Sequence, residues 1–241
     1  MPNNQFHTAI STHRFNRYLI ACNNNRNKAE LLYRTNIRLS QELYAIIGLF
    51  EVILRNSIDR HYTQIKGEFW LEDAVEPGGF LDGFGCEDSF HNVQEAIFRL
   101  QNKYTHDGLI AQHTFGFWVY LFAPKQYAAA GNTLLNAFVN RPYGTKQKDI
   151  LQNLIRINET RNRVAHYEPI CFDHKEISTQ KIRKRYRLVI EMLRWLGCDH
   201  RKILYRLDRV ENTIALIEDI KKYKNGWPVQ VRYFFSRINF K

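Results

Sequence analysis

The sequence predicts an all-α fold, and three observations carry that prediction. Apolar residues recur at helical spacing almost throughout the chain. Glycine and proline cluster at a few break points, such as Arg141-Pro142-Tyr143-Gly144, instead of being spread through the periodic stretches. No internal repeat or low-complexity tract interrupts the pattern, and only 229–239, VQVRYFFSRIN, reads equally as a short strand or a last helical turn.

The elements follow in order. From 37 to 65, Leu39, Leu43, Ile46, Ile47, Phe50, Leu54, Ile58 and Ile65 form one stripe broken only by Gly48, predicting one long or slightly bent helix. Residues 71–90 hold Pro77, Gly78, Gly79, Gly83 and Gly85 and read as a long loop. Those glycines match neither GxxxxGK[ST] nor GxGxxG, so no nucleotide cradle is expected there. A short helix is predicted at 91–103, and two more at 125–140 and 145–167. A helix at 176–196 stops at Gly197, and another at 199–222 closes before Asn225-Gly226 and Pro228. The chain reads as a single helical domain, 1–241, with an additional N-terminal helical segment (1–70), the loop, and a helical core (91–241).

Composition bounds the function. With 241 residues, 44% hydrophobic and 24% charged, the chain is long and apolar enough for a packed core. MPNNQFHTAISTHRF lacks the apolar stretch of a signal peptide. The run FGFWVYLFA is far shorter than the roughly 20 residues that span a bilayer. A soluble cytoplasmic protein with no membrane partner is expected. Cys22, Cys86, Cys171 and Cys198 are widely spaced without CxxC, which predicts free thiols and no zinc site. His106 and His113 are seven apart, but no third ligand accompanies them, so no metal is assigned. The net charge of +11 and pI near 9.5 point to a polyanion, nucleic acid first among them.

The stretch 159-ETRNRVAHYEPI-170 concentrates the candidate chemistry. Pro169 disfavours helix at Glu168, so the 145–167 helix should end near Tyr167 with His166 in its last turn. Asn162 and His166 are four apart on one face, where the amide could fix the imidazole tautomer. Arg161 lies five before His166, a rotation of roughly 140°, so the two do not easily converge on an intact helix. A deformed helix end, a swung arginine or a second copy of the helix would each bring them together, and a two-fold interface does so by pairing two Arg–His sets. Such a cleft suits metal-independent RNA cleavage: an imidazole takes the 2′-hydroxyl proton, another protonates the leaving 5′-oxygen, and guanidinium groups hold the phosphate. Read as structure alone, Arg163 bridges Glu159 and His166 favours the helix C-terminus as a cation.

RNRVAH resembles the R-x4-6-H motif of HEPN domains, in which a polar residue, often Asn, follows the arginine. More narrowly, 44-YAIIGLFEVILRNSI-58, 113-HTFGFWVYLF-122 and 158-NETRNRVAHYEPI-170 resemble the Abi-like (abortive infection, AbiD/AbiF-type) proteins of bacteria, over most of the chain. The resemblance implies a HEPN-like helical bundle, a homodimer, and RNA cleavage in phage defence or a toxin setting, with an antitoxin or other regulatory protein as a further partner and no cofactor. It assigns Arg161 and His166 as the catalytic pair and Asn162 as the polar residue between them. Relatives paired with nucleotidyltransferases carry a tyrosine two places after the histidine; here Tyr167 follows directly and Glu168 takes that place. The same pattern puts Arg55-Asn56 on the first long helix, with His61 at R-x5-H spacing as a possible accessory set. Glu51 and Asp59, four residues to either side, explain Arg55 equally as a rung in an ion-pair ladder.

Between 181 and 209 the chain places ten Lys and Arg against three acidic residues. Lys181, Arg183, Lys184, Arg185 and Arg187, with Arg163, are the expected phosphate contacts, and Tyr186 could stack a base. A solvated cationic face explains the same run. The reading that competes with a nuclease is a non-catalytic helical RNA-binding or protein-interaction module.

Overall fold

The structure is a computed structural model and describes residues 9–222, so the 229–239 segment lies outside the described residues. In chain order the helices are α1 (Thr12–Ala21), α2 (Arg26–Lys66), α3 (Trp70–Asp73), α4 (Glu87–Leu100), α5 (His106–Gln112), α6 (Phe115–Tyr120), α7 (Pro124–Ala129), α8 (Gln147–Ala165), α9 (Gln180–Trp195), α10 (His200–Ile203) and α11 (Val210–Lys222). Between α8 and α9 stands an antiparallel hairpin, β1 (Phe172–Asp173) against β2 (Glu176–Ile177), with Phe172 opposite Ile177. The fold class is all-α, as the periodicity predicts. Two compact units share the described residues: 9–45, 161–187 and 206–222 in the first, 46–160 and 188–205 in the second.

In the first unit, α1 starts at Ser11, whose hydroxyl accepts from Arg14 N. Its buried face supplies Phe15 and Tyr18, and Tyr18 meets Tyr33 of α2 and Phe172 of β1 edge-on, each at 5.1 Å between ring centroids. Ile182 of α9 and Val210, Ile214 and Ile217 of α11 add aliphatic core. Asn36 is 1% exposed on α2, yet it is fully used. Its Oδ1 accepts from Ile170 N (2.9 Å) and Cys171 N (3.1 Å), and its Nδ2 donates to Glu168 O (3.1 Å).

The second unit is built on the remainder of α2. Ile46, Ile47, Phe50, Leu54 and Ile58 are fully buried, and Phe50 meets Phe115 at 6.0 Å. Trp70, Trp118, Phe122 and Phe138 complete an aromatic core. Each such ring contributes about 2–3 kcal/mol by leaving water.

Several boundaries differ from the expected ones, for physical reasons. The long helix begins at Arg26, eleven residues before 37, because Leu31, Leu32 and Tyr33 extend its buried stripe while Arg34–Glu30 and Arg38–Glu42 pairs support the outer side. At its other end Ile65 is half exposed, so the stripe stops at Tyr62. The helix expected over 125–140 ends at Ala129, where Gly131 (φ 95°) and Asn132 (φ 58°) reverse the backbone before a 3₁₀ turn at Leu134–Ala137. The helix expected over 199–222 breaks between α10 and α11, with Arg206 at φ 63°. The 71–90 loop has helix at both edges, since Trp70 anchors α3 and α4 already starts at Glu87. All four cysteines are free thiols, with Cys198 the least enclosed. No helix among the described residues is long and apolar enough to cross a membrane.

Candidate functional site

Helix α8 is built to stop at His166. Ile150, Leu154, Ile157 and Val164 form its buried side, and Ala165 is the last helical residue. Tyr167 turns to φ 49°; its N–H donates to Val164 O (3.1 Å), and Glu168 N–H donates to Arg163 O (3.0 Å). That pair of bonds is a Schellman closure, which normally places glycine in the left-handed position. Helix α9 closes the same way with Gly197 (φ 84°) in that place, through Gly197 N to Arg194 O (2.9 Å) and Cys198 N to Leu193 O (3.0 Å). In α8 a tyrosine holds the strained conformation, one residue after the histidine.

The freed carbonyls at this end are met by a cation from α1. The Arg14 guanidinium donates to His166 O at 2.9 Å and also to Tyr167 O. One turn further along α1, Arg17 lies over the Phe172 ring, 4.6 Å from its centroid, and donates to His174 O. Positive charge at a helix C-terminus is favourable, and here it also fixes the exit of the chain. Asn36 then clamps Glu168, Ile170 and Cys171 from α2. Arg14, Arg17 and Asn36 were not among the residues singled out by sequence. Their contacts join positions more than a hundred residues apart, and no local pattern announces them.

On this scaffold the imidazole of His166 is exposed and makes no hydrogen bond with any described residue. Arg161 is half-buried, and its guanidinium forms no ion pair with any described residue. Asn162 is exposed; its main-chain oxygen accepts from His166 N (3.2 Å), and its side chain does not hold the imidazole. The expected tautomer-fixing contact is therefore absent. Because α8 is intact through Ala165, its end does not deform to bring Arg161 onto the face of His166, and within one chain the roughly 140° separation persists. Arg163 bonds through Nε to Glu168 (2.9 Å), so it helps close the helix end and is not an open phosphate contact.

Arg55, Asn56 and His61 lie in the second unit. Arg55 Nε approaches Asn56 Oδ1 at 3.5 Å, and His61 Nε2 meets Thr133 Oγ1 at 3.0 Å, burial lowering the His61 pKa. The ladder from Arg55 to Asp59 does not form. Asp59 Oδ1 instead accepts from Trp70 Nε1 and bonds His106 Nε2, each at 2.8 Å, locking α2 to α3 and α5.

The basic run is also partly spent. Arg183 bridges Glu211 (3.0 Å) and Glu218 (2.9 Å), and Arg187 approaches Glu211 at 3.9 Å. Tyr186 is 9% exposed with its hydroxyl on Asp208, so it cannot stack a base. Lys181 and Lys184 are exposed, and Arg185 is half-buried. A second basic surface in the first unit was not read from sequence: Lys28, Lys175, Lys221 and Lys222 rim a hollow of about 600 Å³. Their spacing in the chain hides it.

Among the described residues no group of three or more His, Cys, Asp or Glu side chains could hold a metal ion. What the motif end offers is an exposed base or acid, a guanidinium, and a rigid main chain behind them. No protein-family model, curated protein or solved structure matches the chain.

Proposed function

We propose that this protein is a metal-independent endoribonuclease that uses two copies of the Arg161–His166 pair in a composite site. The observation that carries the reading is the pairing of uncommitted groups at the end of α8: an exposed imidazole and a half-buried guanidinium, neither with a partner among the described residues. A half-enclosed cation without a counter-ion favours an anion, and phosphate suits the guanidinium fork. The +11 charge would draw RNA to it. The HEPN and Abi-like resemblance of RNRVAH and its surroundings supports the same reading, and with it a cytoplasmic role in phage defence or as a toxin held by a regulatory partner.

In the reaction, one His166 removes the 2′-hydroxyl proton, and the 2′-oxygen bonds to phosphorus. The bond to the 5′-oxygen breaks, and the second His166 gives that oxygen its proton. The products are a 2′,3′-cyclic phosphate and a 5′-hydroxyl. Arg161 from each copy neutralises charge growing on the phosphoryl oxygens. Two copies are required because one chain holds one histidine here and keeps its arginine on another face.

The test is cleavage of RNA by purified protein in excess EDTA. Cyclic-phosphate ends are expected, with His166→Ala slower by about 10²–10⁴-fold and Arg161→Ala similarly impaired. A mixed dimer of one parental and one His166→Ala subunit keeps a single imidazole and should also be slow. Parental cleavage by His166→Ala would sink the reading, and salt-sensitive RNA binding without cleavage would leave a binding module instead.

A further inference from the structure

The second unit contains a cavity of about 860 Å³ between α4 and the α5–α7 segment, apart from every residue assigned above. Two of its walls are unusual. His113 is 8% exposed and Gln126 is 4% exposed, and neither side chain makes a hydrogen bond with any described residue. His113 Nε2 and Gln126 Oε1 are enclosed without a partner. Buried polar groups are normally satisfied, as Ser57 and Thr160 are by bonds of 2.8 Å to their own helix. Of the enclosed side-chain atoms in this unit without a partner, those of Tyr62, His106 and Trp118 belong to residues off the cavity, whereas His113 and Gln126 both line it. Two idle groups on one cavity therefore mark a place where something else completes them.

The geometry narrows what that is. Phe117 stacks on His113 at 4.0 Å with the planes 20° apart, so the ring is held flat and only its edge is available. Burial, then the nearby Arg99 charge, lowers the His113 pKa to about 4, leaving a neutral ring with one donor and one acceptor. Beside it Gln126 adds an amide acceptor and donors. A carboxylate or phosphate, acceptors only, could not satisfy Gln126 Oε1. Of the charged groups at the rim, Arg99 pairs with Glu95 (3.0 Å), Lys125 lies over the Phe84 ring (3.7 Å) and Glu87 accepts from Gly85 N (2.9 Å), while the Asp88 carboxylate, bonded to no described residue, disfavours an anion. Tyr120 stands 62% exposed at the mouth as an aromatic surface. The volume is that of a small-molecule site.

We propose that this cavity binds an uncharged planar heterocycle through an amide-type edge, a nucleobase of the uracil or guanine kind, hydrogen-bonded by His113 and Gln126. The base could arrive as a free nucleoside or on an RNA strand. The site stands independently of the nuclease reading.

The experiment titrates the full-length protein with uridine, guanosine, adenosine, or a short oligouridine, followed by NMR and calorimetry. Uridine or guanosine should bind in preference to adenosine, and Gln126→Met should weaken binding at least tenfold while raising the melting temperature, because it removes an idle buried amide. A role in packing alone would lower the melting temperature. Tyr120→Ala, at the exposed mouth, should weaken binding with the melting temperature held. Binding of oligouridine alone, with the same loss in Gln126→Met, assigns the base to a strand. No binding of any probe at millimolar concentration, or binding indifferent to Gln126→Met and Tyr120→Ala, overturns the proposal, and water alone then fills the space.

Discussion

The guanidinium of Arg14 donates to the main-chain oxygen of His166 at 2.9 Å, across 152 positions of chain. This contact couples the orientation of the candidate catalytic residue to a helix near the other end of the sequence. Replacing Arg14 by Ala should cost about 1 kcal/mol of stability, the scale of a cation at an exposed helix C-terminus. Its effect on RNA cleavage should be larger, on the order of ten- to a hundredfold, because small misplacements of a reacting group are expensive. Arg14→Lys keeps the charge without the fork and should fall between. Equal rates for all three proteins in EDTA would show that the contact is not needed for His166.

Tyr167 predicts the opposite direction. A non-glycine residue at φ 49° is strained by about 1–2 kcal/mol, partly offset in a glycine variant by the greater freedom of its unfolded chain. Tyr167→Gly should therefore raise stability by roughly 0.5–1 kcal/mol, read as a higher urea midpoint at unchanged slope. A lower midpoint would mean that the half-exposed ring contributes more than the strain costs.

Asn36 should be the most damaging single loss in the first unit. Asn36→Ala strands the N–H groups of Ile170 and Cys171 in a buried place, at about 2–5 kcal/mol in total. Chemical denaturation measures this directly. A loss below about 1 kcal/mol would indicate that water replaces the amide.

His113 gives the pH dependence. Its native pKa is lowered to about 4, whereas the unfolded chain takes up the proton near 6.5. Between those values the unfolded state binds more protons, so stability is full above pH 6.5 and falls as pH drops toward 4. The slope from this group reaches at most about 1.4 kcal/mol per pH unit. His61, also lowered by burial, adds in the same direction. His113→Phe should flatten the stability curve over that window, so that its difference from the parent changes with pH. Parallel curves would remove the histidine from the account.

The end of α8 was legible because two local signals agree there: an apolar stripe that expires at Val164 and a proline at 169 that forbids its continuation. The break at Gly131-Asn132 was announced by its residues and overridden by the flanking periodicity. The break at Arg206 was not announced, since arginine carries no preference for the left-handed region. The basic run misled for a related reason. Spacing shows where Arg183 and Tyr186 lie on α9, but Glu211, Glu218 and Asp208 reach them from α11 and its approach, and pairing between helices leaves no trace in either one.

The support behind the imidazole therefore comes from scattered places. A peptide copying RNRVAH alone would fray and point its histidine at random, and two proteins sharing those six letters would differ in reactivity if one lacked an arginine near position 14 or an amide near 36. Reading a candidate site of this kind from a short string misses half of what holds it in place.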